Sequence, residues 1–134
     1  MKIAVSGSQP DLEGDVNPMF GRCEYFLIVD VEGKKVNGYG AVKNMSASQA
    51  GAAGISAAQA VAGKGVKAVI TGSMGPRALD VMGQFGIEVY AASGPVREAV
   101  RNFGEGKLKK IQTPGQMHSG LGRRGEGRGM GRMK

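Results

Sequence analysis

The chain has 134 residues and a formal net charge of +7, which is enough sequence for one domain with a modest hydrophobic core. Hydrophobic residues make up 41% and charged residues 22%, proportions that are ordinary for a globular protein. A single cysteine excludes an internal disulfide, and no apolar run reaches the length of a membrane span. We therefore expect a cytoplasmic protein that does not associate with membranes.

The predicted elements begin with three strands. Residues 2–6 form a short apolar run, and a loop rich in glycine, proline and aspartate then extends to about Phe20. The stretches 25–31 and 35–42 have the composition of strands. The turn at Gly33-Lys34 is short enough to pair these two strands as a hairpin.

The rest of the chain alternates helices with strands. The alanine-rich segment 46–63 has apolar residues at helical spacing, and its Ser46 and Gln49 resemble a capping box. Four more elements follow in the order strand, helix, strand, helix, at residues 66–70, 76–84, 87–91 and 95–103. A hairpin followed by this alternation predicts an α/β fold with a mixed sheet and helices on its faces. Strands one, four and five are predicted to be parallel.

The composition changes after Pro114. Residues 115–134 carry five basic side chains against Glu126 alone, together with seven glycines and few large apolar residues. Such a segment buries too little surface to offset the entropy of ordering it. We therefore expect residues 1–114 to form the domain and residues 115–134 to form a disordered basic tail rich in glycine, arginine and methionine. Such a tail is suited to electrostatic binding of nucleic acid or of an acidic partner protein.

Two loops repeat one pattern, in which small residues and a Gly-Pro pair stand between a strand and a helix. They are Ser73-Met74-Gly75-Pro76 and Ser93-Gly94-Pro95. Proline suits the first helical position, and small residues before it leave the first amides of the helix open to an anion. Carboxyl ends of parallel strands meet at one edge of a sheet, so these loops and Ser6-Gly7 predict a binding site at that edge. The alternative, that Gly-Pro only turns the chain, stays open.

The only cysteine, Cys23, follows Phe20-Gly21-Arg22. If Arg22 and Cys23 are close in space, the guanidinium charge favours the reactive thiolate, which can coordinate a metal. The alternative is a core residue, because alternation along a strand would place Cys23 on the same face as Tyr25 and Leu27. Met19 and Met74, both in candidate loops, have the same two interpretations, a thioether ligand or a packing residue.

No catalytic constellation is evident in the sequence. The single histidine, His118, lies in the predicted tail, and the carboxylates Asp11, Glu13 and Asp15 fall in a glycine-containing loop. No pair or cluster of cysteine and histidine has zinc-binding spacing. We therefore predict a protein that is not an enzyme.

Four blocks of the sequence resemble one known family. They are MKIAVSGS at the N-terminus, Phe20-Gly21-Arg22 with the aromatic residues that follow it, the stretch 52–59, and Gly72-x-x-Gly75-Pro76-x-Ala78. In their order and spacing, over residues 1 to about 114, these blocks are similar to the dinitrogenase iron–molybdenum cofactor biosynthesis domain. The resemblance implies a ribonuclease H-like, three-layer α/β/α fold. Its five-stranded mixed sheet would have the second strand antiparallel to the rest.

The resemblance also implies a function, that of a non-catalytic carrier or scaffold for a metal–sulfur cluster. The implied cluster contains molybdenum or iron, as in nitrogenase cofactor precursors or a molybdenum–copper sulfide cluster, and recombinant protein can lack it. The implied partners are cluster donor or acceptor proteins, and both a monomer and a weak homodimer stay open. Two other functions also stay open: binding of nucleic acid or another polyanion through the tail, and a regulatory assembly module.

The resemblance places the segment before the second strand at the same edge of the sheet as the two Gly-Pro loops. Cys23 and Met74 are the candidate metal ligands there. The complete set of candidate cluster-binding residues is Ser6, Gly7, Phe20, Gly21, Arg22, Ser73, Met74, Gly75, Pro76, Ser93 and Gly94.

Overall fold

The structure is a computed structural model that describes residues 1–45 and 53–111. Within these residues one sheet contains six strands: β1 (Lys2–Gly7), β2 (Tyr25–Glu32), β3 (Lys35–Lys43), β4 (Ala68–Thr71), β5 (Glu88–Ala91) and β6 (Lys109–Lys110). The helices are α1 (Ala53–Ala62), α2 (Pro76–Gln84) and α3 (Val96–Gly104), and a short 3₁₀ turn spans Phe20–Arg22. The strand order across the sheet is β3-β2-β1-β4-β5-β6.

The directions of the first five strands agree with the sequence prediction. β4 lies parallel to both β1 and β5, with Ile70 paired to Val5 on one side and to Tyr90 on the other. β2 is antiparallel to β1 and β3. The hairpin between β2 and β3 turns at Gly33, whose φ of 61° lies in the left-handed region that favours glycine.

The sixth strand was not predicted. Lys109 and Lys110 pair antiparallel with Ala91 and Tyr90, so the described sheet has six strands and two antiparallel members instead of five strands and one. Two consecutive lysines carry no strand pattern of their own. They become a strand only because the outer edge of β5 is available for pairing, which tertiary structure decides and local sequence does not.

Helices lie on both faces of the sheet, which confirms the three-layer prediction. α1 and α2 cover one face, where Val61 and Met82 pack in the same cluster as Val69 of β4. α3 covers the other face, where Val100 packs in the same cluster as Ile70. β4 is therefore buried on both sides, as is typical of the central strand of an α/β sheet.

Parts of the prediction fall on residues that the structure does not describe. The helix predicted for residues 46–63 is described from Ala53 onward, so the Ser46 and Gln49 capping box lies outside the described residues, as does the predicted tail. α2 begins at Pro76 as predicted, and Gly86, with a φ of 69°, follows its end. Across residues 1–45 and 53–111, none of the helices has the length and apolar character that spanning a membrane requires.

Candidate functional site

The segment that precedes β2 is fixed against the loop that follows β4. The Phe20 amide donates a hydrogen bond to the Ser73 carbonyl (3.2 Å), and the Ser73 hydroxyl donates one to the Pro18 carbonyl (2.7 Å). Phe20 itself is buried, and its ring centroid lies 5.0 Å from that of Phe26. The 3₁₀ turn is therefore held by both hydrogen bonds and an aromatic contact.

Ser6 and Gly7 lie at the carboxyl edge of the sheet, as predicted, but beneath these loops. The fully buried Ser6 hydroxyl lies 2.8 Å from the Thr71 hydroxyl and 3.0 Å from the Asn17 carbonyl. Gly7 is also buried, and a Cβ placed on it would lie 3.3 Å from the Leu27 side chain. Both residues support the loops above them and are not exposed to a ligand.

A cleft of about 410 Å³ opens between the 3₁₀ turn, the start of α2 and the described start of α1. The described residues that line it are Met19, Phe20, Gly21, Arg22, Gly54, Ile55, Ser73, Gly75, Pro76, Arg77 and Ala78. Six of the predicted site residues are thus brought together: Phe20, Gly21, Arg22, Ser73, Gly75 and Pro76.

The described wall of the cleft is basic. Arg22 and Arg77 are its charged side chains, and no carboxylate is among the described lining residues. The first turn of α2 contains no acidic residue, and no side chain caps it. The amides of Arg77 and Ala78 have no acceptor within the helix, and the helix dipole adds positive potential at this end. The combination favours an anion in the cleft.

Sequence reasoning missed two parts of this wall, Arg77 and the start of α1. Arg77 occupies the second position of α2, directly after Pro76 in the candidate loop. Its place next to that loop could have identified it as a candidate site residue from sequence. The start of α1 reaches the cleft because Gly54 packs against α2, with a Cβ on Gly54 falling 3.7 Å from that of Ala78. This helix–helix contact has no counterpart in the local sequence.

Cys23 lies in the core and is fully buried. Burial raises the pKa of its thiol to about 12, because the thiolate would lose its hydration, so the expectation of a thiolate favoured by Arg22 is not met. Cys23 packs with Phe26 on the α1/α2 face and not with Leu27, because β2 begins only at Tyr25 and its alternation does not extend back to the cysteine. The geometry supports the core interpretation, and metal coordination by Cys23 stays a prediction without support from its position.

Met74 sits in the candidate loop but is not among the described residues that line the cleft. Its side chain is half-buried and packs against the core on the α1/α2 face. Met19, by contrast, is 55% exposed and lines the cleft. Of the two thioethers, the one at the cleft is therefore Met19, and coordination by Met74 stays a prediction.

The second Gly-Pro loop does not reach the cleft. Ser93 and Gly94 follow β5 at the carboxyl edge, but α3 lies on the opposite face of the sheet from α2. The first amide of α3, that of Val96, donates to the Gly14 carbonyl (3.0 Å), and the Val16 amide donates to Gly94 (2.8 Å). The loop before β2 thus covers this helix end, and the two helix N-termini do not converge.

Direct coordination of a bare metal ion finds little support in the described residues. Among residues 1–45 and 53–111, no three histidine, cysteine, aspartate or glutamate side chains are grouped so that they could hold an ion. The cleft instead offers guanidinium groups and backbone amides, which donate hydrogen bonds, and the exposed thioether of Met19, which does not. Charged and backbone N–H donors of this kind fit the outer acceptor atoms of an anion.

Fold and cleft together define a small three-layer α/β domain with a basic cleft at the carboxyl edge of its sheet. The chain belongs to the dinitrogenase iron–molybdenum cofactor family, whose profile matches residues 1–106.

Similar proteins span almost the same length. An uncharacterized protein of Methanocaldococcus jannaschii is 35% identical over 113 residues, which cover 84% of this chain and 92% of that protein. The apo form of the orange protein from Desulfovibrio gigas has a similar structure, with a TM-score of 0.75 and 34% identity over 84% of this chain and 94% of that one. A Thermotoga protein named as a candidate NifB, solved by NMR, has a TM-score of 0.71 and 30% identity over 92% of this chain and 98% of that one.

Proposed function

We propose that this protein binds and carries an anionic metal–sulfide cluster in the cleft between the 3₁₀ turn and α2. The observation that carries the proposal is the convergence of Arg22, Arg77 and the N-terminus of α2 on one cleft of about 410 Å³. The family description names the iron–molybdenum cofactor, and one similar structure is that of the orange protein in its apo form, and both support a bound cofactor as the cargo.

The chemistry of the cargo follows from the donors in the cleft. Thiomolybdates and iron–molybdenum–sulfur clusters are anionic and have sulfide on their outer surface. Arginine side chains and helix amides donate hydrogen bonds to such atoms, and a charge-assisted hydrogen bond contributes about 1.5–3 kcal/mol. The protein then holds the cluster without replacing any of its metal ligands, so the role is that of a non-catalytic carrier with cluster donor and acceptor proteins as partners.

The test is loading of the apo-protein with tetrathiomolybdate and copper, and separately with iron and sulfide, under anaerobic conditions. Uptake is followed by the visible spectrum and by metal analysis after equilibrium dialysis. Arg22→Ala and Arg77→Ala should each weaken binding by about tenfold or more, because each removes a charged donor. Arg101→Ala is the matched control, since this exposed arginine lies on α3 and outside the cleft.

Two further outcomes separate the possible modes of binding. Cys23→Ser should leave the visible band intact if the cluster is held by charge, and should abolish it if the thiol is a ligand. Equal cluster uptake by the wild type and by the Arg22→Ala/Arg77→Ala double variant would refute the assignment of the cargo to this cleft. Binding of nucleic acid through residues 115–134 stays a separate prediction, because those residues lie outside the described structure.

A further inference from the structure

The outer edge of β3 is a second surface with the features of a binding site. β3 is the first strand in the sheet order, and among the described residues no strand pairs with its outer side. It is nine residues long and mostly exposed, with Tyr39 47% accessible. Long exposed edges offer a row of backbone donors and acceptors to an added strand.

The register of the hairpin identifies which backbone groups point outward. The Asn44 amide donates to the Glu24 carbonyl (2.9 Å), so the backbone of Asn44 faces β2. Because the hydrogen-bonding direction alternates along an antiparallel strand, Val42 and Gly40 also face β2. The N–H and C=O groups of the alternate residues therefore point away from the sheet: Tyr39, Ala41 and Lys43.

An apolar groove of about 430 Å³ adjoins this edge. It lies between the first half of β2, the end of β3 and the second half of α1. Phe26, Ile28 and Val42 contribute apolar surface to it, and Met45 at its margin is 78% exposed. A strand paired with β3 would place every second side chain on this face of the sheet, beside Val42. Apolar residues at those alternate positions would extend the buried surface of the groove.

The charges around the edge specify the partner further. β3 carries Lys35 and Lys43 at its two ends and no carboxylate of its own, although Glu32 of β2 lies opposite Lys35. Lys43 and Lys64 both line the groove. No aspartate or glutamate is among the described residues lining the groove. A second copy of this chain, with its net charge of +7, would bring the same lysines to the contact. An acidic segment would instead meet opposite charge.

We propose that the outer edge of β3 is a docking site for an extended acidic peptide segment of a partner protein, which adds to the sheet as a further strand. Backbone hydrogen bonds to Tyr39, Ala41 and Lys43 provide affinity. Apolar side chains at alternate positions fill the groove, and carboxylates at the ends of the segment pair with Lys35 and Lys43. This is the strand-addition mode of peptide recognition.

The test uses the full-length ¹⁵N-labelled protein and a short synthetic peptide in which valine alternates with threonine between glutamates at both ends. A twin peptide has lysine in place of glutamate. On addition of the glutamate peptide, the amides of Tyr39, Ala41 and Lys43 should shift and exchange more slowly with solvent. Those of Gly40 and Val42, already bonded to β2, should keep their exchange rates. At low salt the glutamate peptide should bind at least about tenfold more tightly than its twin.

Two sets of variants make the result decisive. Ala41→Pro removes an outward N–H without removing a hydrogen bond to β2, and should weaken binding by about tenfold, whereas Ala41→Val keeps the N–H and should bind normally. The Lys35→Glu/Lys43→Glu double variant should prefer the lysine peptide, which tests the charge argument without changing the strand backbone. The proposal is overturned if the glutamate peptide protects none of the three amides or if Ala41→Pro binds it as well as Ala41→Val does. Protection that rises with protein concentration in the absence of peptide would assign the edge to a second copy of the chain, and would equally overturn it.

Discussion

Replacing Gly72 with alanine should destabilise the domain at the base of the candidate site. A Cβ on Gly72 would lie 2.5 Å from the Cα of Pro18 and 2.9 Å from its carbonyl oxygen. Carbon atoms in contact normally stay about 3.5–4.0 Å apart, so the two backbone segments would have to separate by about 1 Å. Overpacking of this kind costs about 1–3 kcal/mol of stability.

The separation would also lengthen the hydrogen bonds that join these two backbone segments at the base of the site. The Gly72 amide donates to the Asn17 carbonyl (3.3 Å), and the neighbouring Ser73 hydroxyl donates to the Pro18 carbonyl (2.7 Å). Both bonds join the same two segments that the added methyl group pushes apart. We therefore expect Gly72→Ala to weaken cluster loading as well as folding, since the 3₁₀ turn that carries Arg22 is displaced from α2.

The matched control is the same substitution at Gly83. A Cβ on Gly83 meets open space, and the residue lies in α2, where alanine is favoured over glycine by about 0.5–1 kcal/mol. Urea unfolding followed by far-UV circular dichroism measures both effects, which suits a chain without tryptophan. Gly72→Ala should lower the free energy of unfolding, and Gly83→Ala should raise it. A Gly72→Ala variant as stable as the wild type would refute the claim that Pro18 restricts this position.

Four further predictions concern individual side chains, two of them on Cys23. Cys23 should react with iodoacetamide far more slowly in the folded protein than in urea at about pH 8, as mass spectrometry would show, because burial raises the pKa of its thiol to about 12. For the same reason the free energy of unfolding should fall as the pH rises from 9.0, the ordinary pKa of a thiol, towards 12, because the unfolded chain releases this proton at a lower pH than the folded protein does. Cys23→Ala should reduce this pH dependence. Thr71→Val should lower the free energy of unfolding by about 1–3 kcal/mol, because it removes the buried hydroxyl partner of Ser6; an unchanged urea midpoint would contradict this. The Tyr90 hydroxyl, and then Lys110, lower the pKa of the Glu88 carboxyl, so its contribution to stability is present above about pH 4.5 and is lost as the pH falls through the lowered value. In an NMR titration Tyr90→Phe should return this pKa towards its ordinary value.

The central part of the fold could be predicted because its signals are local. The apolar runs of β1, β4 and β5, the glycine turn of the hairpin, and the Pro76 and Gly86 that bracket α2 each act within a few residues of where they stand. β6 and the covering of the α3 N-terminus by residues 14–16 could not be predicted in this way. They depend on which edge of a strand is left open and on which face of the sheet a helix packs, and both are decided by the assembled fold.

The candidate site could likewise be predicted from local sequence only in part. The Gly75-Pro76 loop was found from sequence because small residues before proline have a direct consequence for the helix that follows. Cys23 is buried, as its core interpretation expected, but it lies on the opposite face of the sheet from Leu27, because strand alternation does not extend two residues before the start of β2 at Tyr25. Arg77 was overlooked, although it follows the loop directly, because only the contact between α1 and α2 shows that its part of the helix faces a cleft.

The character of the cleft also bears on how a carrier would release its cargo. Under the proposed function the cluster is held by Arg22, Arg77 and the first amides of α2, and these interactions weaken with rising salt. The only thiol of the chain is buried and protonated at neutral pH, so the described site provides no thiolate to compete for the metals. An acceptor protein with cysteine ligands at its own site would form bonds to the metal that this cleft does not make, as each thiol displaces a terminal sulfide that leaves with the thiol proton as hydrosulfide. Transfer is then favoured by ligand chemistry alone, and no large rearrangement of the carrier is needed to drive it.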